Sequence, residues 1–264
     1  MKTLGKFLFV LAAIAAVYFI LFQVNWEKLF KLEEKQERLE EKLGKLINDE
    51  LKASYGFIDD DSSKQVLDSI FSPLLEANGI ARKKYKLMLI KDSEVNAFAL
   101  PNNQIVLTSG IINFLDSADY LSAVLAHELA HCEKKHVMKS LITNFGLDVL
   151  LSGSGASEVT NFLTGQAFSR KLEQEADEQA VDYLTKADID PKNLIHVMEL
   201  FDLYLTGDLD LTWASTHPAP KDRKAYLQQK INNTAVEDIA KPSLSQEQWE
   251  KFQEHVEKQD GEVD

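Results

Sequence analysis

His127-Glu128-Leu129-Ala130-His131 holds more usable chemistry than any other five residues of this sequence. Residues four apart share one helix face, so two imidazoles converge there on a single point, with a carboxylate beside the first. That spacing suits a divalent metal, and Glu128 then stands next to the ion rather than on it, placed to hold a water. Random order would produce the pattern about once in a hundred chains of this composition, so a surface helix carrying two histidines is the plain alternative. The neighbours argue against it. Leu121, Val124, Leu125 and Leu129 make the run apolar, and burying two imidazoles and a carboxylate without partners is costly.

A catalytic zinc site needs a third protein ligand and an open fourth position. The segment Arg170-Lys-Leu-Glu173-Gln-Glu175-Ala176-Asp177 offers two acids four apart. Either Glu173 or Asp177 can reach the metal, with the other holding a ligand in place from behind. Spacing alone does not choose between them, and acid-rich helix faces are usually just solvated.

Four segments in order resemble one family. They are Asn96-Ala97-Phe98-Ala99; His127-Glu128-x-x-His131; Arg170-x-x-Glu173-x-x-Ala176-Asp177; and Thr216-His217-Pro218 with Arg223 five residues after the proline. Together they are similar to metallopeptidase family forty-eight, the zinc gluzincins that include HtpX, BepA, the Oma-type proteases and the CAAX prenyl endopeptidases. The resemblance covers about residues 60 to 232. It implies that Glu173 is the third zinc ligand and that Asp177 holds a zinc-bound histidine. It implies that Asn96, Ala97, Phe98 and Ala99 belong to a strand beside the cleft, where an extended peptide can add as a further strand. His217 matches a loop histidine near the metal, either a donor to the oxyanion during catalysis or a latch on the open zinc position; a purely structural histidine is the third option.

The other candidates read as structural. His136, five residues after His131, is rotated away from the zinc face and reads as a residue of the helix C-terminal end. His196 and His255 lack ligand spacing, and Cys132, next to a ligand, points about 100° away from it on a helix.

The elements that position these residues read as a mainly α (α+β) fold, a gluzincin-like zinc protease domain with a small sheet beside the active-site helix. Tyr85–Ile90 and Gln104–Thr108 read as strands, with a turn at Pro101-Asn102-Asn103. Asp59-Asp60-Asp61-Ser62-Ser63 starts a helix to about Leu75, and Asp116 with Asp119 predicts a cap for one helix through His131 to about Lys139. Residues 151–155 form a connector. A second long helix is predicted from about Glu158 to Lys186, a third from Pro191 to near Gly207, and a fourth over Lys221–Asn232. Residues 246–259 read as a peripheral helix within an acidic C-terminal tail. The domain boundaries that follow are 1–25, 26–58, 59–235 and 236–264, with the protease domain at 59–235.

Twenty-nine Lys and Arg face 42 Asp and Glu, a net charge of −13, which repels phosphate backbones and excludes a nucleic-acid partner. One cysteine excludes an intramolecular disulfide and a Cys-based zinc knuckle. Phe7 to Val24 is apolar apart from Gln23 and the Tyr18 hydroxyl, about 27 Å of helix, which predicts a single transmembrane helix acting as an uncleaved signal anchor. Lys2 and Lys6 before it put the N-terminus in the cytoplasm and the body outside. Trp26 to about Lys52 reads as a charged helical spacer. Its heptad frame, Leu29, Gln36, Leu43 and Glu50 at a with Leu32, Leu39, Leu46 and Ala53 at d, makes a homodimer through residues 26–53 the alternative. No arginine precedes Arg38, unlike a mitochondrial transit peptide. The expected location is therefore the bacterial inner (cytoplasmic) membrane, single-pass, with the catalytic domain facing the periplasm or cell exterior.

The expected function is a membrane-anchored zinc metalloendopeptidase holding one Zn2+ per chain, with Glu128 as the general base toward a zinc-activated water. With one span and no room for a tetratricopeptide domain, the expected substrates are proteins or peptides, chiefly misfolded or damaged envelope proteins. A zinc-bound holdase or assembly factor on the same fold is the rival reading, and the intact Glu128 argues against it. A tethered coiled-coil adaptor with a structural zinc is a third.

Overall fold

A computed structural model describes residues 32–146, 150, 156–165, 168–204, 217, 221–234 and 244–261. The expected membrane segment, Phe7 to Val24, and the connector 151–155 lie outside the described residues. Among the described residues no helix is long and apolar enough to cross a membrane. The chain divides into two compact units, residues 1–40 and 41–264. In the first, residues 32–40 are helical, and Gln36 Nε2 donates to Glu40 Oε1 at 3.1 Å, one turn on.

Helix α1, Leu32–Ser54, continues into the second unit. It is not a free spacer there: Leu43, Ile47 and Leu51 are buried. The buried row runs by fours rather than along the heptad seam, so Leu43 is already covered within the chain. Gly44 explains the close fit. A Cβ there would stand 2.7 Å from Gln104 Nε2 and 2.9 Å from the Pro101 oxygen, and Gln104 donates to the Gly44 carbonyl at 3.1 Å.

Helix α2, Asp61–Ala77, starts where expected because the Asp60 carboxylate accepts from the Ser63 N–H at 3.0 Å, an N-cap. Strands β1 (Lys86–Ile90), β2 (Ala97–Leu100) and β3 (Gln104–Thr108) follow. They form one sheet in the order β1-β3-β2, with β1 and β3 parallel and β2 and β3 antiparallel. The β2–β3 turn needs left-handed backbone at Asn102 (φ 63°) and Asn103 (φ 53°), which asparagine tolerates better than most residues.

Helix α3, Ser109–Phe114, leads to α4, Ala118–Glu133, whose N-cap is Ser117 rather than Asp116. From Leu121 to Cys132 every residue of α4 is buried, as befits a helix apolar on all faces. It packs against β2, α2, and two later helices, α7 (Arg170–Lys186) and α8 (Lys192–Tyr204). The expected single helix to Lys139 breaks: Lys135 takes a left-handed conformation (φ 57°), and α5, His136–Phe145, starts anew. The expected helix from Glu158 to Lys186 is likewise two, α6 (Ala156–Gly165) and α7. The Ser169 hydroxyl caps α7, accepting from the Leu172 N–H, and that forces the new start.

Helix α9, Lys221–Asn232, lies where expected and packs on α7 and α8. Helix α10, Gln246–Gly261, is not peripheral. Trp249, Phe252 and Val256 are buried at three- and four-residue spacing against α3, and Trp249 Nε1 donates to the Leu115 carbonyl at 3.0 Å.

Candidate metal centre

Helix α4 supplies His127, Glu128 and His131; α7, packed along it, supplies Glu173 and Asp177. His217 enters from the stretch before α9, and its flanking Thr216 and Pro218 lie outside the described residues. His127, His131, Glu173 and His217 are all buried, with one donor atom from each lying within 4.8 Å of the other three. The two Nε2 atoms of His127 and His131 are 3.1 Å apart, and His217 Nδ1 is 3.2 Å from His127 Nε2. Glu173 closes the set at 3.1 Å from His217 Nδ1, 3.5 Å from His131 Nε2 and 3.6 Å from His127 Nε2.

Those separations test the fit of a zinc ion directly. Ligand bonds of about 2.0–2.1 Å at tetrahedral angles put donors about 3.4 Å apart, and the five separations bracket that value. The proton count points the same way. His127 Nδ1 faces Asp177 Oδ1 at 3.0 Å, so the neutral ring keeps its proton there and turns the Nε2 lone pair inward, and the charged ring carries its second proton at Nε2. Glu173 is a lone-pair donor too. Lone pairs converging in a buried space repel unless a cation sits among them.

Asp177 is itself held. Arg223 takes it in a fork, Nε to Oδ2 at 2.8 Å and Nη2 to Oδ1 at 2.7 Å, and the Tyr226 hydroxyl donates to Oδ2. Arg223 also donates to the His217 carbonyl at 2.8 Å and lies 3.2 Å from Glu173 Oε2. One guanidinium thus ties together the acid behind His127, the acid in the donor set and the backbone of the loop histidine.

The electrostatics follow from burial and these pairs. Burial opposes charge on His127, but Asp177 and Glu173 outweigh it and push the ring up to about 9. His131 falls well below its ordinary value through burial and the neighbouring His127 cation. Glu173 drops well below the carboxylate range despite burial, because His217 and His127 face it. Asp177 is lowered despite burial by Arg223 and His127. With a metal held at Nε2, His127 would be neutral and its proton would stay on Nδ1 toward Asp177.

Glu128 is fully buried, with Oε1 3.5 Å from His217 Nε2. Asn96 precedes β2, and Ala97, Phe98 and Ala99 lie within it, an edge strand packed on α4. Helix α6 lies against that strand, and the Phe168 ring rests 4.2 Å from the His131 ring between centroids. Cys132 is buried with Sγ toward the Gln104 carbonyl, His196 is exposed, and His255 Nε2 lies 3.2 Å from Asp60 Oδ1; none reaches the cluster.

His136 departs from the sequence expectation. It opens α5 instead of ending α4, is fully buried, and turns its ring back onto His131. Sequence reasoning also gave no partner to Glu175 and no role to Arg223 or Tyr226. Arg223 stood in a matched motif, but nothing in its spacing said what it would hold.

The matching family model is Peptidase family M48, over residues 61–231. The chain belongs to Peptidase family M48, whose members are zinc-dependent, and its buried His-His-Glu-His cluster is able to hold one such ion. It is 29% identical over 178 residues to the mitochondrial metalloendopeptidase OMA1 of Schizosaccharomyces pombe, covering 63% of this chain and 52% of that protein. It is 25% identical over 203 residues to the beta-barrel assembly-enhancing protease of Escherichia coli K12, covering 69% and 42%. The mitochondrial metalloendopeptidase OMA1 of Arabidopsis thaliana is 30% identical over 152 residues, 55% of this chain and 31% of that one. The chain thus spans about half the length of the first two relatives, or less.

Proposed function

We propose that this chain is a zinc metalloendopeptidase in which His127, His131 and Glu173 hold the metal and Glu128 is the general base. The observation that carries the reading is the buried donor set, three histidines and a carboxylate whose donor atoms lie within 4.8 Å of one another, with an intact carboxylate one residue from the first ligand. When bound, zinc polarises a scissile carbonyl and makes a water acidic near neutral pH. Glu128 takes the proton from that water and passes it to the leaving amine. Asp177, braced by Arg223 and Tyr226, keeps the His127 proton on Nδ1 and its lone pair aimed inward.

His217 in this reading is a displaceable fourth donor. Its Nδ1 sits in the set and its Nε2 faces Glu128, the pose of a latch rather than of an oxyanion donor. The substrate is a protein or peptide that adds to the outer edge of β2 beside residues 96–99. Because α6 lies against that strand, the peptide pairs with it after α6 shifts. Anchoring by Phe7 to Val24 and turnover of misfolded envelope proteins at the bacterial inner membrane are part of the proposal. The apolar stretch supports the anchor, and the relatives' names, a mitochondrial metalloendopeptidase and a beta-barrel assembly-enhancing protease, support the proteolysis. A homodimer through residues 26–53 gains no support, since Leu43 is buried within the chain.

One observation favours a second reading. Four protein donors leave no open position, which is the habit of structural zinc, and a holdase that keeps the fold for binding would look the same. Zinc content and casein cleavage by the full chain separate the two. Wild type and Glu128→Gln should each carry about one zinc, with chelator-sensitive cleavage falling by about 10²–10⁴ in the variant. A zinc-loaded Glu128→Gln protein that cleaves normally would sink the base assignment. Zinc in both and cleavage in neither, even after His217→Ala, would establish the holdase.

A further inference from the structure

A left-handed lysine brings a histidine with no place in the metalloprotease motif onto the metal centre. On an unbroken helix His136 would lie about 140° around from His131. Lys135, at φ 57°, breaks the helix after Glu133 and lets α5 start with the His136 ring facing back. His136 Nδ1 is 3.3 Å from His131 Nδ1, and its Nε2 is 3.3 Å from Glu175 Oε2. His136 is fully buried, while the Glu175 side chain is 35% exposed.

These contacts admit one proton arrangement if His131 gives its Nε2 lone pair to the metal, the reading on which this inference rests. The single proton of His131 is then on Nδ1. Facing it, His136 Nδ1 must present a lone pair, so the proton of His136 is on Nε2, where Glu175 accepts it. Each nitrogen has one role and no two protons or lone pairs collide. We propose that His136, anchored by Glu175, is the positioning residue for His131, fixing its tautomer and ring orientation as Asp177 does for His127. Lys171 Nζ approaches the other Glu175 oxygen only to 3.8 Å from a mostly exposed position, and does not compete.

Ligands oriented in this way typically lose about 10–100-fold in metal affinity when the orienting group is removed. The test is zinc affinity of the full chain, by competition with a chromophoric chelator, alongside thermal unfolding of the metal-free protein. His136→Ala should weaken zinc within that range, and Glu175→Ala by about tenfold, the lower end. In a relay the second loss disappears once the first is made, so the double variant should match His136→Ala; independent structural damage would instead add. His136→Asn places an acceptor oxygen where Nδ1 stood and should recover most of the affinity, which a merely space-filling role does not predict. If His136→Ala fails to fold, Glu175→Ala and His136→Asn still decide the matter.

A zinc-binding wild type whose His136→Ala and Glu175→Ala variants keep wild-type affinity overturns the relay and leaves the metal site standing. Additive losses in the double variant overturn it too. A wild type that takes up no zinc overturns the metal reading first, and the relay with it.

Discussion

Helices α7 and α10 each carry five acids, yet they use them in opposite ways. In α10 the buried row is Trp249, Phe252 and Val256, and the acids lie off it, toward water. In α7 the buried row is Glu173, Ala176, Asp177, Ala180, Val181, Tyr183 and Leu184, with two acids on it. The alanines let α7 approach α4 closely, and that approach puts the acids beside two histidines. Acid content is therefore uninformative, and what matters is whether an acid falls on the row the apolar residues define. An acid on that row needs a cation at its end, since an isolated buried carboxylate is held only at a large solvation penalty.

The sharpest way to break this contrast is to remove the cation. Arg223→Ala leaves Asp177 and Glu173 buried without the guanidinium that both face. Stranding buried charge in this way costs about 3–5 kcal/mol. The expected outcome is a loss of that size in urea unfolding of the metal-free chain, narrowing when zinc is added, because zinc binds only the folded form and supplies positive charge among the same acids. A loss below about 1 kcal/mol would mean that the inward acids of α7 do not depend on Arg223, and the contrast with α10 would weaken.

The next test asks whether the apolar row of α10 belongs to the body. Trp249→Phe removes ring volume and the bond from Nε1 to the Leu115 carbonyl. That carbonyl keeps Gln253 Nε2 at 3.0 Å, so it is not left without a donor. A loss of about 2 kcal/mol is expected, from the small cavity and one hydrogen bond together, read as a lower urea midpoint at unchanged slope. A shift within about 0.5 kcal/mol would return α10 to the detachable tail that its acidity suggested.

How much of this could be read from the sequence depends on whether a signal is local. The pair His127 and His131 with Glu128 is local, since one helical turn fixes it, and β1 and β3 show as short apolar runs near the Asn102-Asn103 turn, whereas β2 was legible as a strand only through the family resemblance. Glu173 and Asp177 were legible from their spacing as two candidates, but which of them holds the metal came only from the family resemblance. Ser169, four residues after Gly165, was a readable cap that would have split α6 from α7. The break between α4 and α5 had no such mark. Lys135 is neither Gly nor Asn, so the left-handed residue there is set by tertiary packing, and helical-wheel reasoning put His136 on the wrong side. Arg223 illustrates the other limit, because its partners lie 46 and 50 residues upstream and at the backbone of a loop. Spacing rules do not reach that far.

The smallest effect sharpens the comparison at the rim of α10, where charge faces water. Asp60 caps α2 and meets His255 of α10 at 3.2 Å, with both side chains about one-third exposed. Partial burial raises its carboxyl, but the Ser63 hydroxyl and N–H and the His255 ring outweigh that and hold it at about 2, below the ordinary 3.8. A carboxyl lowered by folding stabilises the protein above its unfolded value, and the contribution fades as pH falls through the folded value. Asp60→Ala should therefore cost about 1 kcal/mol at pH 6, with the gap to wild type closing between pH 4 and 2. Asp60→Asn keeps a capping oxygen and should recover most of the loss without that pH dependence. Urea midpoints of the three chains at pH 6, 4 and 3 decide it. A deficit in Asp60→Ala that stays constant down to pH 3 would make the cap a matter of hydrogen-bond geometry alone. One that closes on acidification, with Asn insensitive, would show charge acting even on the exposed side, at about a quarter of the effect expected where α7 buries it.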